Sequence, residues 1–375
     1  MGTKLDIIPV KDWFDFFEDD YLIIAGPCSA ESEKQVMDTA LEIEKLGRVQ
    51  AYREGIWKPR TRPESFAGVG SEGLKWLKKV KEETNLLTIV EVATPKHVEE
   101  CLLAGIDMFW IGARTTPNTF AIQEIADSLK GVDIPVLIKN PVNPETELWV
   151  GALERFNNAG IKKLAAIHRG FYPFEKTSFR NIPKWEIPIS LKSRFHNLPI
   201  FCDPSHISGN VKYLEEIAQK SLDLNMSGLM IETHIDPEHA KSDAEQQVSP
   251  KELNTLLDNL VFREAVSDNI DFTNLLEKLR EQIDSIDDQM IELLNQRMKI
   301  VEQIGKYKKD NNVTILQLRR WEKIISTRTE FAQSLGLSSE FIHKLLQLVH
   351  KESIQKQVEI MKLSQERIKE KKKNN

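Results

Sequence analysis

Four side chains of metal-ligating type stand where we expect four different strands of this chain to end. They are Cys28 in Gly-Pro-Cys-Ser, His206 in Asp-Pro-Ser-His, Glu232 in Ile-Glu-Thr-His and Asp243 in Lys-Ser-Asp, and all but Asp243 follow an apolar run. A barrel or an open parallel sheet would gather such residues at one rim. One thiolate, one imidazole and two carboxylates suit Mn, Fe, Co or Zn better than Mg or Ca. The sequence therefore predicts an enzyme that uses one divalent metal ion.

Cationic side chains are dense at the same predicted strand ends. They are Arg53 and Lys58 after the second strand, Arg60 in Lys-Pro-Arg-Thr, Arg114 after the fourth, Lys139 at the end of the fifth, and His168 and Arg169 at the end of the sixth. Cations that face one another repel unless an anion lies between them. The set indicates at least two anionic groups, such as phosphates or carboxylates, bound beside the metal.

The elements that must position these residues are short and alternate along the first 236 residues. Eight β-rich runs lie at 21–25, 49–52, 86–92, 108–111, 135–138, 164–167, 199–202 and 228–231, and helical patterns follow many of them, for example at 33–46, 74–83, 96–104, 119–129 and 211–221. Continuous apolar runs are typical of parallel strands covered on both faces. We predict an α/β TIM (β/α)8 barrel over residues 1–262, with residues 4–17 capping its floor. An open doubly wound sheet is the alternative, although no Gly-x-Gly-x-x-Gly follows the first strand.

The chain changes character after residue 262. Residues 263–271 form a polar linker, and from Phe272 apolar residues recur every three or four positions until Asp310-Asn311-Asn312. This period predicts one long amphipathic helix. A second helix follows at about 316–334 and a third from Ser339. We therefore predict an all-α three-helix domain over 272–360, followed by a basic tail over 361–375.

Charge and hydropathy limit the kinds of partner. The net charge is -6 and the pI about 5.9, which argues against nucleic acid as the main partner. No run approaches the roughly 20 apolar residues of a membrane span, and the start shows no signal-peptide pattern. We expect a cytoplasmic enzyme of small molecules with no membrane partner and no organic cofactor.

The motifs between residues 20 and 260 together resemble those of the smaller type I subclass of 3-deoxy-D-arabino-heptulosonate 7-phosphate (DAHP) synthases. The resemblance rests on Gly26-Pro27-Cys28-Ser29, Lys58-Pro59-Arg60-Thr61, Gly112-Ala113-Arg114-Thr115, His168-Arg169-Gly170, Asp203-Pro204-Ser205-His206 and Ser242-Asp243. It implies condensation of phosphoenolpyruvate with erythrose 4-phosphate.

The resemblance also implies roles for single residues. Cys28, His206, Glu232 and Asp243 would hold the metal. Phosphoenolpyruvate would meet Arg114, Lys139 and Arg169 at its phosphate and Arg53 and Lys58 near its reacting end. The phosphate of erythrose 4-phosphate would meet Arg60 and Thr61, and His168 would also bind substrate. The metal would polarise the aldehyde. Lys58, or a water on the metal, would deliver a proton to the new alkoxide.

Two features bear on the choice within this group of enzymes. The related synthase that condenses phosphoenolpyruvate with arabinose 5-phosphate has an Asn-containing loop where this chain has Lys58-Pro59-Arg60-Thr61, which favours DAHP synthase. The chain departs from the subclass at Asn140-Pro141-Val142-Asn143, where Arg-Gly is common. Because of that departure, the resemblance does not predict the conformation of the loop after Lys139.

In the long C-terminal helix, Arg297 and Lys308 are eleven residues apart. Eleven steps of 100° return to within about 20° of the same face, so both can point into one pocket. Arg280 lies seventeen residues before Arg297, or about 25 Å along the axis. Arg280 can therefore reach that pocket only from a second chain.

Residues 272–360 resemble the all-helical chorismate mutase family. The matching positions are Arg280, Arg297, Lys308, Arg320, Ser353 and Gln357. The resemblance implies an intertwined homodimer that binds chorismate, with Arg297, Lys308 and Gln357 in catalytic roles and Arg280 supplied by the partner. Gln317 and Trp321 stand where the family commonly offers acidic groups to the substrate hydroxyl, with Glu322 one place away.

Three interpretations follow from the two resemblances. The favoured one is a bifunctional enzyme of aromatic amino-acid biosynthesis, in which prephenate made by the helical domain inhibits the barrel. In the second, the helical domain only senses chorismate or prephenate and dimerises. The third is a noncatalytic metal-binding barrel.

Overall fold

The computed structural model describes residues 4–15, 17, 21–58, 64, 66–173, 177–263 and 266–373, with side chains up to residue 362. Its contacts divide the chain into two compact units, Met1–Ala265 and Val266–Asn375. Among the helices in these described ranges, none has the length and apolar character needed to cross a membrane.

Eight parallel strands close a barrel in the first unit. They are β1 Leu22–Gly26, β2 Ala51–Glu54, β3 Leu87–Glu91, β4 Met108–Ile111, β5 Val136–Lys139, β6 Leu164–His168, β7 Ile200–Cys202 and β8 Gly228–Glu232. Each strand pairs with its neighbours in chain order, and β1 also pairs with β8. The predicted TIM barrel is confirmed, and the open-sheet alternative is wrong because the first and last strands are hydrogen-bonded.

Nine α-helices of the described residues belong to this unit. They are α1 Glu33–Glu44, α2 Glu72–Glu83, α3 Pro95–Ala104, α4 Thr119–Ser128, α5 Thr146–Asn158, α6 Glu186–Arg194, α7 Pro204–Ser208, α8 Leu214–Asp223 and α9 Pro250–Asn259. Polar side chains cap several N-termini: the hydroxyls of Ser32 and Thr94 and the amide oxygen of Asn118 accept from backbone N–H groups of α1, α3 and α4. Such caps satisfy N–H groups that lack a partner within the helix.

The core has two layers, one between the strands and outer helices and one inside the barrel. The inner layer continues to Val10 and Trp13, both 2% exposed, and the Trp13 ring lies 6.4 Å from that of Phe201. The prediction that residues 4–17 close the barrel floor is thus confirmed for the described part of that segment. Because one end is filled by apolar side chains, chemistry is confined to the carboxyl ends of the strands.

One glycine fixes the geometry of that rim. Gly26 ends β1 with a φ of +146°, and a Cβ there would lie 2.2 Å from the carbonyl oxygen of Arg53. Gly26 is also in register with Glu232 on β8. The lack of a side chain therefore lets β1 and β2 approach closely two residues before Cys28.

The second unit contains α10 Ile270–Asp310, α11 Leu318–Ser334 and α12 Ser339–Lys373. Both α10 and α11 pack against α12. Val301 and Gly305 are the buried residues of α10, and a Cβ on Gly305 would lie 3.1 Å from Cγ of Gln357. The predicted three-helix architecture is confirmed. Helix α12 continues beyond residue 360, the position at which the sequence predicts the domain to end.

Candidate functional site

Three of the four proposed metal ligands form a compact group at the barrel rim. One ligand atom each from Cys28, Glu232 and Asp243 lies within 4.8 Å of the other two, and Cys28 Sγ is 3.1 Å from Asp243 Oδ2. Cys28 follows β1 and Glu232 ends β8. The sequence predicted that Asp243 follows a fourth strand. That prediction is wrong, because Asp243 lies in the loop after β8. Together with His206, after β7, the ligands thus come from three strands rather than four.

His206 reaches the edge of this group through Glu232. Its Nε2 lies 3.8 Å from Glu232 Oε1, and its Nδ1 lies 2.8 Å from Asp203 Oδ2. A carboxylate at Nδ1 favours the tautomer with the proton there, which leaves the Nε2 lone pair free. We call Cys28, His206, Glu232 and Asp243 the donor cluster.

The chemistry of the donor cluster fits a divalent cation. Burial, followed by the nearby Glu232 carboxylate, raises the pKa of the Cys28 thiol to about 12. Glu232 is fully buried, and its Oε1 accepts no well-aligned hydrogen bond, although Arg53 Nη2 lies 3.0 Å away. A cation would stabilise the thiolate and satisfy that oxygen.

A cavity of about 290 Å³ opens beside the donor cluster, and we call it the rim cavity. Its lining includes the cations Lys58, Arg114, Lys139, Arg169 and Arg180, the polar residues Glu91, Tyr172 and Asn181, and the cluster residues His206 and Asp243. Burial, with Arg180 and Arg114 nearby, lowers the pKa of Arg169 to about 10 against the opposing effect of Asp203. Such crowding of positive charge favours an anionic ligand.

Asp203 connects the rim cavity to the donor cluster. Its fully buried carboxylate accepts from Lys139 Nζ at 2.8 Å and from the backbone N–H of His206 at 3.0 Å, beside the contact to His206 Nδ1. Although burial acts to raise it, His206 and Lys139 hold the pKa of Asp203 well below its usual range. One anionic side chain thus orients a lysine of the rim cavity and the histidine of the donor cluster.

Two predicted substrate residues lie away from the cavity lining. Arg53 is 1% exposed, pairs with Glu232, and places its guanidinium 5.2 Å from the centre of the Trp110 ring. His168 is fully buried, with its ring 5.1 Å from Trp185 and 5.9 Å from Phe171. In this structure Arg53 pairs with a carboxylate of the donor cluster, and His168 packs against aromatic rings. The predicted Arg60 and Thr61 lie outside the described residues.

Sequence reasoning missed two other residues of this rim. Arg180 Nη1 lies 2.9 Å from Asp243 Oδ1 and donates to Gln246 Oε1 at 2.6 Å. Asn140, in the loop that departs from the resembled subclass, accepts from the backbone N–H of Arg169 at 2.7 Å and donates to the Gly170 carbonyl at 2.8 Å. Asn140 therefore fixes the end of β6 from the end of β5.

The helical unit brings together a smaller set of the residues expected from its sequence. Arg297 Nη1 donates to Ser353 Oγ at 2.6 Å, and Gln357 Nε2 donates to the Ser353 carbonyl at 3.1 Å. Lys308 Nζ donates to the Ile315 carbonyl at 2.5 Å. By contrast, Arg280 is exposed and pairs with Glu277, and Arg320 is exposed.

An aromatic pair that the sequence did not predict lies next to this set. The rings of Trp321, on α11, and His350, on α12, are stacked 4.0 Å apart with an interplanar angle of 16°. Trp321 is one of the two departures from the resembled mutase pattern. No spacing rule indicates this contact, because it depends on how two helices cross.

Comparisons with known proteins cover both units. A model of the DAHP synthetase I family matches residues 17–264, and a model of chorismate mutase type II matches residues 279–358. The chain is 31% identical over 250 residues to the phospho-2-dehydro-3-deoxyheptonate aldolase of Thermotoga maritima, covering 66% of this chain and 69% of that protein. It is 27% identical over 272 residues to a 2-dehydro-3-deoxyphosphooctonate aldolase of Paracidovorax citrulli, covering 66% and 91%. The crystal structure of a DAHP synthase from Thermotoga maritima superposes with a TM-score of 0.58 at 29% identity, covering 64% of this chain and 67% of that one.

Proposed function

Because the chain belongs to the DAHP synthetase I family and carries a chorismate mutase type II domain, we propose that it catalyses two reactions of aromatic amino-acid biosynthesis. The barrel condenses phosphoenolpyruvate with erythrose 4-phosphate, and with the addition of one water gives DAHP and phosphate. The helical unit rearranges chorismate to prephenate. The observation that carries the first assignment is the donor cluster beside a cavity lined by at least five cations. The family model and the higher identity to the Thermotoga protein favour erythrose 4-phosphate over arabinose 5-phosphate.

In the barrel, the positively charged lining binds and orients the phosphorylated substrates. Arg114, Lys139 and Arg169 line the rim cavity and are assigned to the phosphate of phosphoenolpyruvate. Arg60 and Thr61 are assigned to the phosphate of erythrose 4-phosphate on their motif alone. Holding both substrates in one cavity replaces a bimolecular encounter by an oriented reaction of the bound pair.

Lys58 is assigned to deliver a proton to the aldehyde oxygen as the new C–C bond forms. It lines the cavity, and although burial opposes its charge, Cys28 and Glu232 raise its pKa, so it carries the proton at neutral pH. Lys58→Ala should abolish turnover while metal binding, measured by calorimetry, stays near that of the wild type. A near-normal kcat would contradict this role.

The donor cluster is assigned to one divalent metal of the Mn, Fe, Co or Zn class, which when bound would polarise the aldehyde carbonyl as a Lewis acid. A chelator should therefore stop the condensation and leave chorismate turnover unchanged. Calorimetric titration of the metal-free chain should show one site per barrel, and Cys28→Ala should weaken it. Condensation that persists unchanged after complete chelation would rule out this cofactor.

In the helical unit, cations hold the two carboxylates of chorismate in a reactive conformer and donors stabilise charge on the breaking ether bond. Arg297 is assigned to a carboxylate, with Ser353 fixing its guanidinium, and Lys308 and Gln357 to the ether oxygen. Arg320 and the partner's Arg280 complete the pocket. An assay of chorismate loss with and without Arg297→Ala separates this function from the alternative, a domain that only senses ligand. Undiminished loss in that variant would place the reaction elsewhere.

We infer a homodimer from an apolar stripe on the first half of α10. The stripe consists of Leu275, Leu279, Ile283, Ile286, Met290 and Leu293, which are 46–63% exposed. At 100° per residue these six side chains span roughly 80° of the helix circumference, on the side where Val301 is buried further along. A second copy would cover the stripe and supply its own Arg280.

We further propose that prephenate inhibits the barrel reaction. The proposal is supported by the fusion of the two domains, since prephenate is formed downstream of DAHP. Inhibition requires that prephenate bind an inactive arrangement more tightly than an active one. Synthase activity should fall as prephenate is added, and full activity at saturating prephenate would contradict the proposal.

A further inference from the structure

His350 presents an unsatisfied nitrogen beside the residues of the helical site. It lies three residues before Ser353 on α12, so both side chains occupy neighbouring positions on one face. The Trp321 ring covers the imidazole at 4.0 Å, nearly parallel to it. Within the described part of the chain, His350 Nε2 is buried and has no hydrogen-bond partner. Buried polar atoms are usually hydrogen-bonded, so this nitrogen is a candidate for a hydrogen bond with a bound ligand.

The charged neighbours of His350 cannot serve as its acceptor. Arg297 and Lys308 are close enough to lower the pKa of His350, after the larger effect of burial. Both side chains carry only donors. The imidazole is therefore neutral at pH 7 and can exchange a hydrogen bond with a group that both donates and accepts.

The chemistry of the substrate suggests which group that is. Chorismate has two carboxylates, one ether oxygen and one ring hydroxyl. Cations suit the carboxylates, and Lys308 and Gln357 are assigned to the ether oxygen. A hydroxyl both donates and accepts, so it can pair with Nε2 in either tautomer of the neutral imidazole.

We propose that His350 Nε2 hydrogen-bonds the ring hydroxyl of chorismate, with Trp321 holding the imidazole in place. The inference rests on the proposed mutase function of the same site. His350 is then a substrate-positioning residue that selects for the hydroxyl-bearing ring. Gln357 offers a competing contact, because its Oε1 is also buried without a partner in the described structure.

The test compares chorismate with its analogue that lacks the ring hydroxyl, using the full-length chain and its His350→Leu variant. In the wild type, loss of the hydroxyl should lower kcat/KM about 10-fold or more, because a buried partner is left unpaired. In His350→Leu, kcat/KM for chorismate should fall by a similar factor and the preference for chorismate should shrink to about two-fold or less. Trp321→Phe should keep the preference, whereas Trp321→Ala should lose much of it.

Controls separate this contact from general damage to the helical unit. His343→Leu makes the same substitution on an exposed residue of the same helix and should change neither rate nor preference. His350→Gln keeps a polar group and should retain part of the preference if the leucine variant folds poorly. If His350→Leu lowers kcat/KM equally for both compounds, His350 does not contact the ring hydroxyl. That result would favour a hydrogen bond from the hydroxyl to Gln357 Oε1 instead. A wild type that does not turn over chorismate would instead overturn the mutase function itself.

Discussion

The two sites differ most in how completely one chain builds them. In the barrel, Arg53, Glu232 and Asp203 are almost fully buried and each has a charged partner from another strand or helix. In the helical unit, Arg297 and Lys308 are half-buried and much of the apolar side of α10 is exposed. The barrel site is therefore set by the fold of a single chain, whereas we expect the helical site to be complete only with a second copy.

This difference predicts how each site responds to substitution. Charges buried in a barrel lose most of their hydration, so removal of one partner leaves an uncompensated charge. Charges on a partly exposed helix stay hydrated and contribute little to stability. Substitutions in the barrel should therefore cost stability as well as activity, and those in the helical unit mainly activity.

The largest expected effect is that of Arg53→Met. It leaves the Glu232 carboxylate buried without its 3.0 Å partner, so we expect a loss of about 3–5 kcal/mol in the free energy of unfolding together with loss of condensation. The matched change in the other unit, Arg297→Met, should cost less than about 1 kcal/mol. Chemical denaturation of both variants measures the contrast, and equal losses would remove the distinction between the sites.

The next effect tests whether the helical site needs a second copy. Ile283→Asp places a charge on the apolar stripe of α10, where Ile283 is 57% exposed. If the stripe is an interface, sedimentation should show a smaller species and chorismate turnover should fall about 10²- to 10³-fold, as when a key charge-stabilising donor is lost. Condensation should be unaffected.

A matched control for this variant lies on the same helix. Ile291 is 64% exposed but roughly 120° around the helix from the centre of the stripe. Ile291→Asp should leave both the size of the particle and the mutase rate unchanged. If the two variants behave alike, the stripe has no special role and the barrel and helical sites are equally self-contained.

The same contrast explains what could be predicted from sequence. Parallel strands of a closed barrel bring their carboxyl ends to one rim, so Cys28 and Glu232 could be placed together from the strand pattern alone. Asp243 could be named only from its motif, because a loop rather than a strand carries it to the cluster. The pairing of Asp203 with Lys139, 64 residues apart, joins the ends of β5 and β7 across β6 and does not follow from any local spacing.

In the helical unit, the period of apolar residues predicted α10 to within two residues at its start. The face shared by Arg297 and Lys308 also followed from that period. The Trp321 and His350 stack did not, since periodicity fixes which face a side chain occupies but not which residue of another helix it meets. Gly305 was missed for the same reason.

We expect Asp203→Asn to have a smaller effect than Ile283→Asp. The amide keeps the shape but removes the charge that orients His206 and Lys139, so metal affinity should fall about 10- to 100-fold. Calorimetric titration of the metal-free chain measures this, and chorismate turnover should not change. Asp133→Asn breaks an ion pair of the same 2.8 Å length, to Lys163, at a side chain that is 79% exposed. That control should bind metal as the wild type does, and a matching loss there would show that Asp203 has no special role.

The smallest effect should come from Gly305→Ala, which tests how tightly the helical site is packed within one chain. The new Cβ would lie 3.1 Å from Cγ of Gln357, so α12 must yield by a few tenths of an ångström and move the Gln357 amide. We expect a decrease of about two- to five-fold in the mutase kcat with little change in stability, since overpacking of about 1 kcal/mol is offset by the better helix propensity of alanine. An unchanged kcat would mean that Gln357 contributes nothing to the rate at its present position. The helical site would then depend on its cations, and its resemblance to the cation-lined barrel cavity would be closer than their difference in burial suggests.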